Sequence, residues 1–360
     1  MFDPFGSLLY HTSMDTRFSR FVMDFPGRLA MPIGAYAGLE ITGESIEDIV
    51  SAPGSQFKAV MALHDRYRTP VLLTAMDPSA EAEAYGCEIR MPEREIPTVV
   101  GRLVTNEAEI AALPDPVPGD ARTRVPLETA WRLVAEADGP IPVLGCMLGP
   151  FSLAGRLYGV SEALEATAVE PETIEGLIRQ VTAFLCQYAL AFRETGAWGI
   201  IVSEPAAGLL SPDGLSRFSA PFVKRIVEAV ETPEFSVILH HCDAKIIHLE
   251  SILESGAGIY HFGAPMDIVA ALERVSLAWP GAAGGRAGGA GGEVIIGGNL
   301  DPTSVFHKGT PQAVGEATRA LLEATRSYKN FILSSGCDIP PGTPLASLNA
   351  FYRAVAEFNK

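Results

Sequence analysis

Ser236-Val-Ile-Leu-His-His-Cys-Asp-Ala244 is a short apolar run that ends in two histidines and a cysteine. A later stretch, Asn330-Phe-Ile-Leu-Ser-Ser-Gly-Cys-Asp338, is also apolar with a cysteine at its end. Neither apolar run alternates polar with apolar residues, which is the pattern of a strand covered on both faces in a parallel sheet. Six further runs have the same character: Met31–Leu39, Pro70–Met76, Ile141–Leu148, Gly199–Ser203, Gly258–Phe262 and Val294–Gly297. With Val237–His241 and Phe331–Ser334 they make eight, each followed by a helix-like stretch. Eight βα units predict an α/β protein, a (β/α)8 TIM barrel, as one domain over residues 1–360. An open doubly wound sheet is the alternative. No Gly-x-Gly-x-x-Gly follows the first run, which argues against dinucleotide binding.

Helical periodicity is plain in Glu44–Tyr67, Glu170–Gly196, Ser211–Glu231, Pro265–Ala278 and Pro311–Tyr328. These stripes read as faces packed on the sheet. Two regions leave the repeat. Asp77–Pro118 carries many carboxylates, prolines and short β-type runs, and predicts an excursion after the second strand, a hairpin with loops over the barrel mouth. Pro280–Gly292 is glycine-rich and predicts a flexible insertion on the opposite face.

Composition narrows the function. The chain is 48% hydrophobic and 19% charged, as suits a folded enzyme with a large core. No apolar run reaches the ~18 residues of a membrane span. The first ten residues include Asp3 and no basic region, so no signal peptide is expected. Five cysteines without a dense framework fit reduced thiols and a cytoplasmic location. A net charge of −16 argues against a nucleic-acid partner and demands a local basic cluster for any strongly anionic substrate.

In a barrel, the ends of the strands share one rim. Asp77, Glu204, His240, Cys242, His261, Asn299, Asp301 and Cys337 fall at those ends. A strand tip offering His240-x-Cys242, and another offering Cys337, supply three ligands for one zinc ion. Three protein ligands leave a position open, as in a catalytic site. His241 alternates with His240 and is expected to face the helices. Two thiolates and an imidazole give a neutral site. Zinc lowers the pKa of an added thiol from about 8.5 to below neutrality. The sulfur stays electron-rich, so the ligand set favours thiol alkylation over water activation. Glu204 and Asp338 are candidates for the fourth position.

Several motifs resemble the uroporphyrinogen decarboxylase superfamily: Glu81-Ala-Glu-Ala-Tyr-Gly-Cys-Glu88, Gly149-Pro-Phe-Ser-Leu-Ala154, Leu210-Ser-Pro-Asp213, Ile296-Gly-Gly-Asn-Leu-Asp301 and Gly336-Cys-Asp-Ile-Pro-Pro341. Within it, His240, Cys242 and Cys337 resemble the zinc ligands of methylcobamide:coenzyme M methyltransferases. The resemblance implies Zn2+ at those residues, and a thiolate that takes a methyl group from a methylated corrinoid on a separate carrier protein. Phe151, Tyr158 and Asn299, with Met147 and Leu153, are candidates to line the corrinoid-facing mouth. Asp77 stands where the decarboxylases keep an aspartate, and here is expected to shape the pocket. The arginine-rich stretch of the decarboxylases is absent: Pro32-Ile-Gly-Ala-Tyr-Ala-Gly-Leu-Glu40 has no arginine. Decarboxylation of a porphyrinogen with eight carboxylates is thereby disfavoured. The pattern leaves room for tetrahydrofolate or homocysteine as acceptor, and for a non-catalytic corrinoid- or metal-binding barrel.

Overall fold

The computed structural model describes residues 15–93, 95–278 and 293–360. The expected glycine-rich insertion at 280–292 lies outside them. Seven parallel strands form one curled sheet in the order β1-β4-β5-β6-β7-β8-β9, and β2 and β3 form a separate pair. The strands are β1 Leu72–Leu73, β2 Ile89–Arg90, β3 Thr98–Val99, β4 Val143–Leu148, β5 Gly199–Ser203, β6 Ser236–His241, β7 Ile259–Phe262, β8 Ile295–Leu300 and β9 Phe331–Ser335. The eighth barrel position belongs to the segment 29–33. It bridges to β9 at Ala30–Leu333, through Met31 N–H to Leu333 O (2.8 Å) and Leu333 N–H to Leu29 O (3.0 Å).

Side-chain parity agrees with a barrel. Met31, Leu73, Cys146, Ile201, Ile238, Ile259, Ile295 and Ile332, one from each of the eight positions, belong to a single buried interior cluster. Their neighbours Leu72, Val143, Ile200, Val237, Tyr260, Ile296 and Phe331 belong to a second cluster with the surrounding helices. A parallel sheet buried on both faces needs apolar residues at successive positions, which is why the runs do not alternate. The (β/α)8 expectation holds. The first strand does not run over Met31–Leu39 as expected: the chain leaves β-structure after Ile33 and turns into a 3-10 segment, Ala35–Gly38, then the short helix Leu39–Thr42. Pro32, Gly34 and Gly38 mark that switch in the sequence, but the apolar character of the run masks it.

Two expected helices are each broken in two. Glu44–Tyr67 is Ile46–Ser51 followed by Pro53–Tyr67, and Ser211–Glu231 is Pro212–Phe218 followed by Ala220–Val230. Each break falls beside a proline, Pro53 or Pro221, whose ring excludes a continuous hydrogen-bond ladder. The helix expected from Pro265 begins at Ile268, where Asp267 accepts from Ala270 N–H at 3.0 Å.

The N-terminal end of the barrel is sealed. Helix Arg17–Asp24, capped by Thr16, lies across it, and Phe18 and Val22 join the interior cluster. Thr16 Oγ1 meets Ser236 Oγ at the start of β6 (2.5 Å), and Arg17 N–H donates to Pro233 O (2.6 Å). At the other end, β2 and β3 pair antiparallel in the excursion after β1, as expected. The excursion is held to the rim by Leu148 N–H donating to Glu81 Oε1 (2.8 Å) and by Leu103 N–H donating to Leu157 O (2.9 Å).

Glycines bring the tips of β6, β7 and β9 together. Gly263, just past β7, lies so close to Cys242 that a methyl group there would overlap the Cys242 carbonyl. Gly336, just past β9, sits on that loop; a methyl group there would lie 2.7 Å from Ala264 N and 3.1 Å from Gly263 Cα. Only glycine permits such approaches. Gly263→Ala is therefore expected to destabilise the protein by at least about 2 kcal/mol in urea unfolding, and to separate the β6 and β9 tips. Gly176→Ala, at a helical site with nothing within 4 Å, is expected to be neutral or slightly stabilising in the same assay.

Candidate metal centre

Parity aims His240 inward. It follows Ile238 by two residues on β6, on the interior side, and is 0% exposed. Cys242 lies just past the end of the same strand, and Cys337 two residues past β9. One ligand atom from each of His240, Cys242 and Cys337 lies within 4.8 Å of the others. The two sulfurs are 3.7 Å apart. Two sulfurs at about 2.3 Å from one tetrahedral zinc are separated by about 3.8 Å, whereas a disulfide requires about 2.05 Å. Both cysteines are free and partly exposed, so the site opens toward the mouth.

The donor set fits a metal on a second count. His240 Nε2 is buried and meets no oxygen or nitrogen partner; the nearby Cys337 thiol is at most a weak donor to the ring, so a lone pair is left for a ligand. Its other nitrogen is engaged: Nδ1 is 2.8 Å from Nδ1 of His261 and 3.3 Å from the His261 carbonyl oxygen. His261, buried on β7, also meets Ser334 Oγ through Nε2 at 2.8 Å. Burial holds His261 well below the ordinary histidine range. The sulfurs influence each other: the Cys337 S–H donates to Cys242, which lowers the Cys242 pKa and raises that of Cys337. His241 points the other way, into the helix layer, and burial pushes it down to about 3.

The remaining candidates do not join this group. Glu204 adjoins His240 through its backbone, N–H to His240 O at 2.8 Å, but its carboxylate is outside the ligand group and caps the helix Pro150–Tyr158. Oε1 accepts from Phe151 N–H (3.0 Å), and Oε2 accepts from Ser152 N–H (2.9 Å) and Ser152 O–H (2.7 Å). Burial pushes it up to about 7. Asp77 accepts from Ser79 through Oδ1 and pairs with Arg122 through Oδ2, and Arg122 also pairs with Glu83 (2.7 Å). Asn299 fastens the loop after β7, donating to Gly263 O (3.1 Å) and Met266 O (2.7 Å). Phe151 and Leu153 are fully buried and Met147 nearly so, which removes them from the mouth. Tyr158 is buried and donates to Thr105 O at 3.3 Å. Asp338 has both carboxylate oxygens buried without a partner, and burial raises its pKa well above the usual range; it stands outside the 4.8 Å group. Sequence reasoning places His261 at the rim and gives it no partner. Its position opposite His240 in the β6–β7 register is the signal that could have found one.

Known proteins agree with the fold and narrow the kinship. A methylcobamide:CoM methyltransferase, MtbA, of Methanosarcina acetivorans is 29% identical over 276 residues, covering 76% of this chain and 75% of its own. A methylated-thiol–coenzyme M methyltransferase of Methanosarcina mazei is 28% identical and covers 78% of this chain and 71% of its own. A uroporphyrinogen decarboxylase of a Synechococcus species is 27% identical over 71% of this chain and 69% of its own. Among solved structures, a methyltransferase from Methanosarcina mazei superposes with a TM-score of 0.81 at 20% identity, over 97% of this chain and 100% of its own, which attests the fold. The family model for uroporphyrinogen decarboxylase (URO-D) matches residues 28–358, and the chain belongs to that family.

Proposed function

We propose that the protein is a zinc-dependent methyltransferase that moves a methyl group from a methylated corrinoid, carried on a partner protein, to a small thiol such as coenzyme M. The observation that carries this reading is the meeting of a His240 ring nitrogen with two sulfurs 3.7 Å apart at the open end of a barrel. The relatives named as methylcobamide:CoM methyltransferases support the substrates. Decarboxylation draws less support, because the arginine beside Asp77 is already neutralised by Asp77 and Glu83.

His240, Cys242 and Cys337 would hold the metal. Zinc in that setting supplies one thing, a bound acceptor sulfur kept as thiolate. The chain does the rest. Cys242 and Cys337 add negative charge, which keeps the acceptor sulfur electron-rich. Partial exposure of both cysteines leaves the approach open on the mouth side. The apolar interior below them excludes water from the far side. In the transfer the S–CH3 bond forms as the cobalt–carbon bond breaks, and cobalt keeps the electron pair.

The carrier has a candidate landing place. Leu209, in the loop after β5, is 58% exposed, and Ile247, in the loop after β6, is 61% exposed. Both stand on the metal-site end of the barrel, and their loops touch where Gly208 packs on Asp243 and Ala244.

Zinc-loaded protein mixed with methylcob(III)alamin and a panel of thiols should yield cob(I)alamin in the visible spectrum; zinc-loaded protein inert with every thiol would sink the proposal. Cys242→Ala and Cys337→Ala should each weaken zinc by more than about 100-fold with the fold intact, while His241→Ala leaves zinc nearly unchanged. Because protons compete with the metal for the two thiols, zinc binding should weaken as pH falls, by up to about tenfold per pH unit for each proton displaced. Finally, Leu209→Glu with Ile247→Glu should raise KM for the methylated carrier protein and leave the rate with free methylcobalamin unchanged.

A further inference from the structure

We propose that Ser334 and His261 form a hydrogen-bond chain that presets His240 with its proton on Nδ1, so that Nε2 faces the two sulfurs as a bare lone pair before any metal arrives. The inference rests on the zinc reading of this site and adds two positioning residues to it.

Proton counting from the far end fixes every step. The Met31 carbonyl can only accept, and Ser334 Oγ lies 2.6 Å from it, so the hydroxyl donates there. A hydroxyl has one proton. Toward His261 Nε2, at 2.8 Å, Ser334 can then only accept, and His261 Nε2 carries a hydrogen. His261 is 1% exposed and its ring bonds to Ser334 and His240; among the described residues no carboxylate is hydrogen-bonded to it. A neutral ring is therefore favoured, and its Nδ1 keeps a lone pair. The single proton in the 2.8 Å gap between the two Nδ1 atoms belongs to His240. It is shared with the His261 carbonyl at 3.3 Å. A neutral His240 protonated on Nδ1 has none on Nε2, and Nε2 is the buried atom without a partner.

The sheet is built to allow this chain. His240 and His261 are register partners on β6 and β7. Ser334 is on β9, two strands from His261. Opposite His261 on β8 is Gly297, one inward-facing step before Asn299, the partner of Ser334; a methyl group on Gly297 would sit 3.3 Å from His261 Cδ2. The absent side chain gives the His261 ring its passage across β8. Fixing a ligand's tautomer through its second nitrogen is how outer partners raise metal affinity, commonly by 10- to 100-fold, about the range expected here.

The test begins with metal-free protein carrying 15N-labelled histidine. His240 is expected to show a pyrrole-type Nδ1 and a pyridine-type Nε2, and His261 the reverse. Ser334→Ala and His261→Leu should turn His240 into a tautomer mixture and weaken zinc by about 10- to 100-fold in a chelator competition. Ser334→Thr, which keeps the hydroxyl, should restore both. A protonated Nε2 on His240 in the wild type would overturn the chain. So would a His261→Leu protein with native near-UV circular dichroism and wild-type zinc affinity. Expected tautomers in a protein that takes up no zinc would support the chain and overturn the metal reading.

Discussion

Everything at the open end of this barrel depends on the close approach of two loops that have no side chains to spare. Cys242 and Cys337 are 95 residues apart and lie past strands separated by two others, yet their sulfurs are 3.7 Å apart. Gly263 lets the β7 loop lie against Cys242, and Gly336 lets the β9 tip lie against Gly263. Backbone stacked on backbone draws in the rim locally. The sulfur pair is thus a product of backbone packing, and the packing in turn is fixed by which residues lack a Cβ.

Polar groups near this rim fall into two kinds, and burial alone does not separate them. Glu204, Asp77 and Asn299 are satisfied by backbone donors, by an arginine or by backbone carbonyls, and they hold loops and helix ends in place. His240 Nε2, His241 Nδ1, the Asp338 carboxylate and one oxygen of Glu81 are left unmatched. Native structures rarely leave buried polar atoms unmatched. An unmatched atom points to chemistry only where other ligand atoms gather with it, as the two sulfurs do at His240 and none do at His241.

Much of the fold is legible in the sequence, for a simple reason. Strands covered on both faces must be apolar throughout, so seven of the eight barrel positions stand out, and parity separates His240 from His241. The first position is blurred because Met31–Leu39 is apolar whether it runs as strand or turns into helix. Helix stripes run through Pro53 and Pro221 because the periodicity resumes beyond the break. The three sulfur and imidazole ligands are readable because few other residues offer that chemistry. Roles for Glu204, Phe151, Tyr158 and Asn299 are not readable. Nearness to a strand end in sequence does not say which way a side chain turns: Glu204, Phe151 and Tyr158 are buried, and the partly exposed Asn299 is tied to backbone carbonyls. The link from His261 to Ser334 joins residues 73 apart, and no local pattern announces it.

The plug formed by Phe18 and Val22 has a kinetic meaning. With the floor stopped among the described residues, the metal ligands are reached from the mouth, where Cys242 and Cys337 are partly exposed. If methyl transfer is the reaction, the small acceptor and the bulky carrier must queue for it. The acceptor has to be seated before the carrier docks, and the methylated product waits behind the carrier until it departs. Order of addition would then be imposed by architecture at the end of the barrel opposite the metal, without any moving lid.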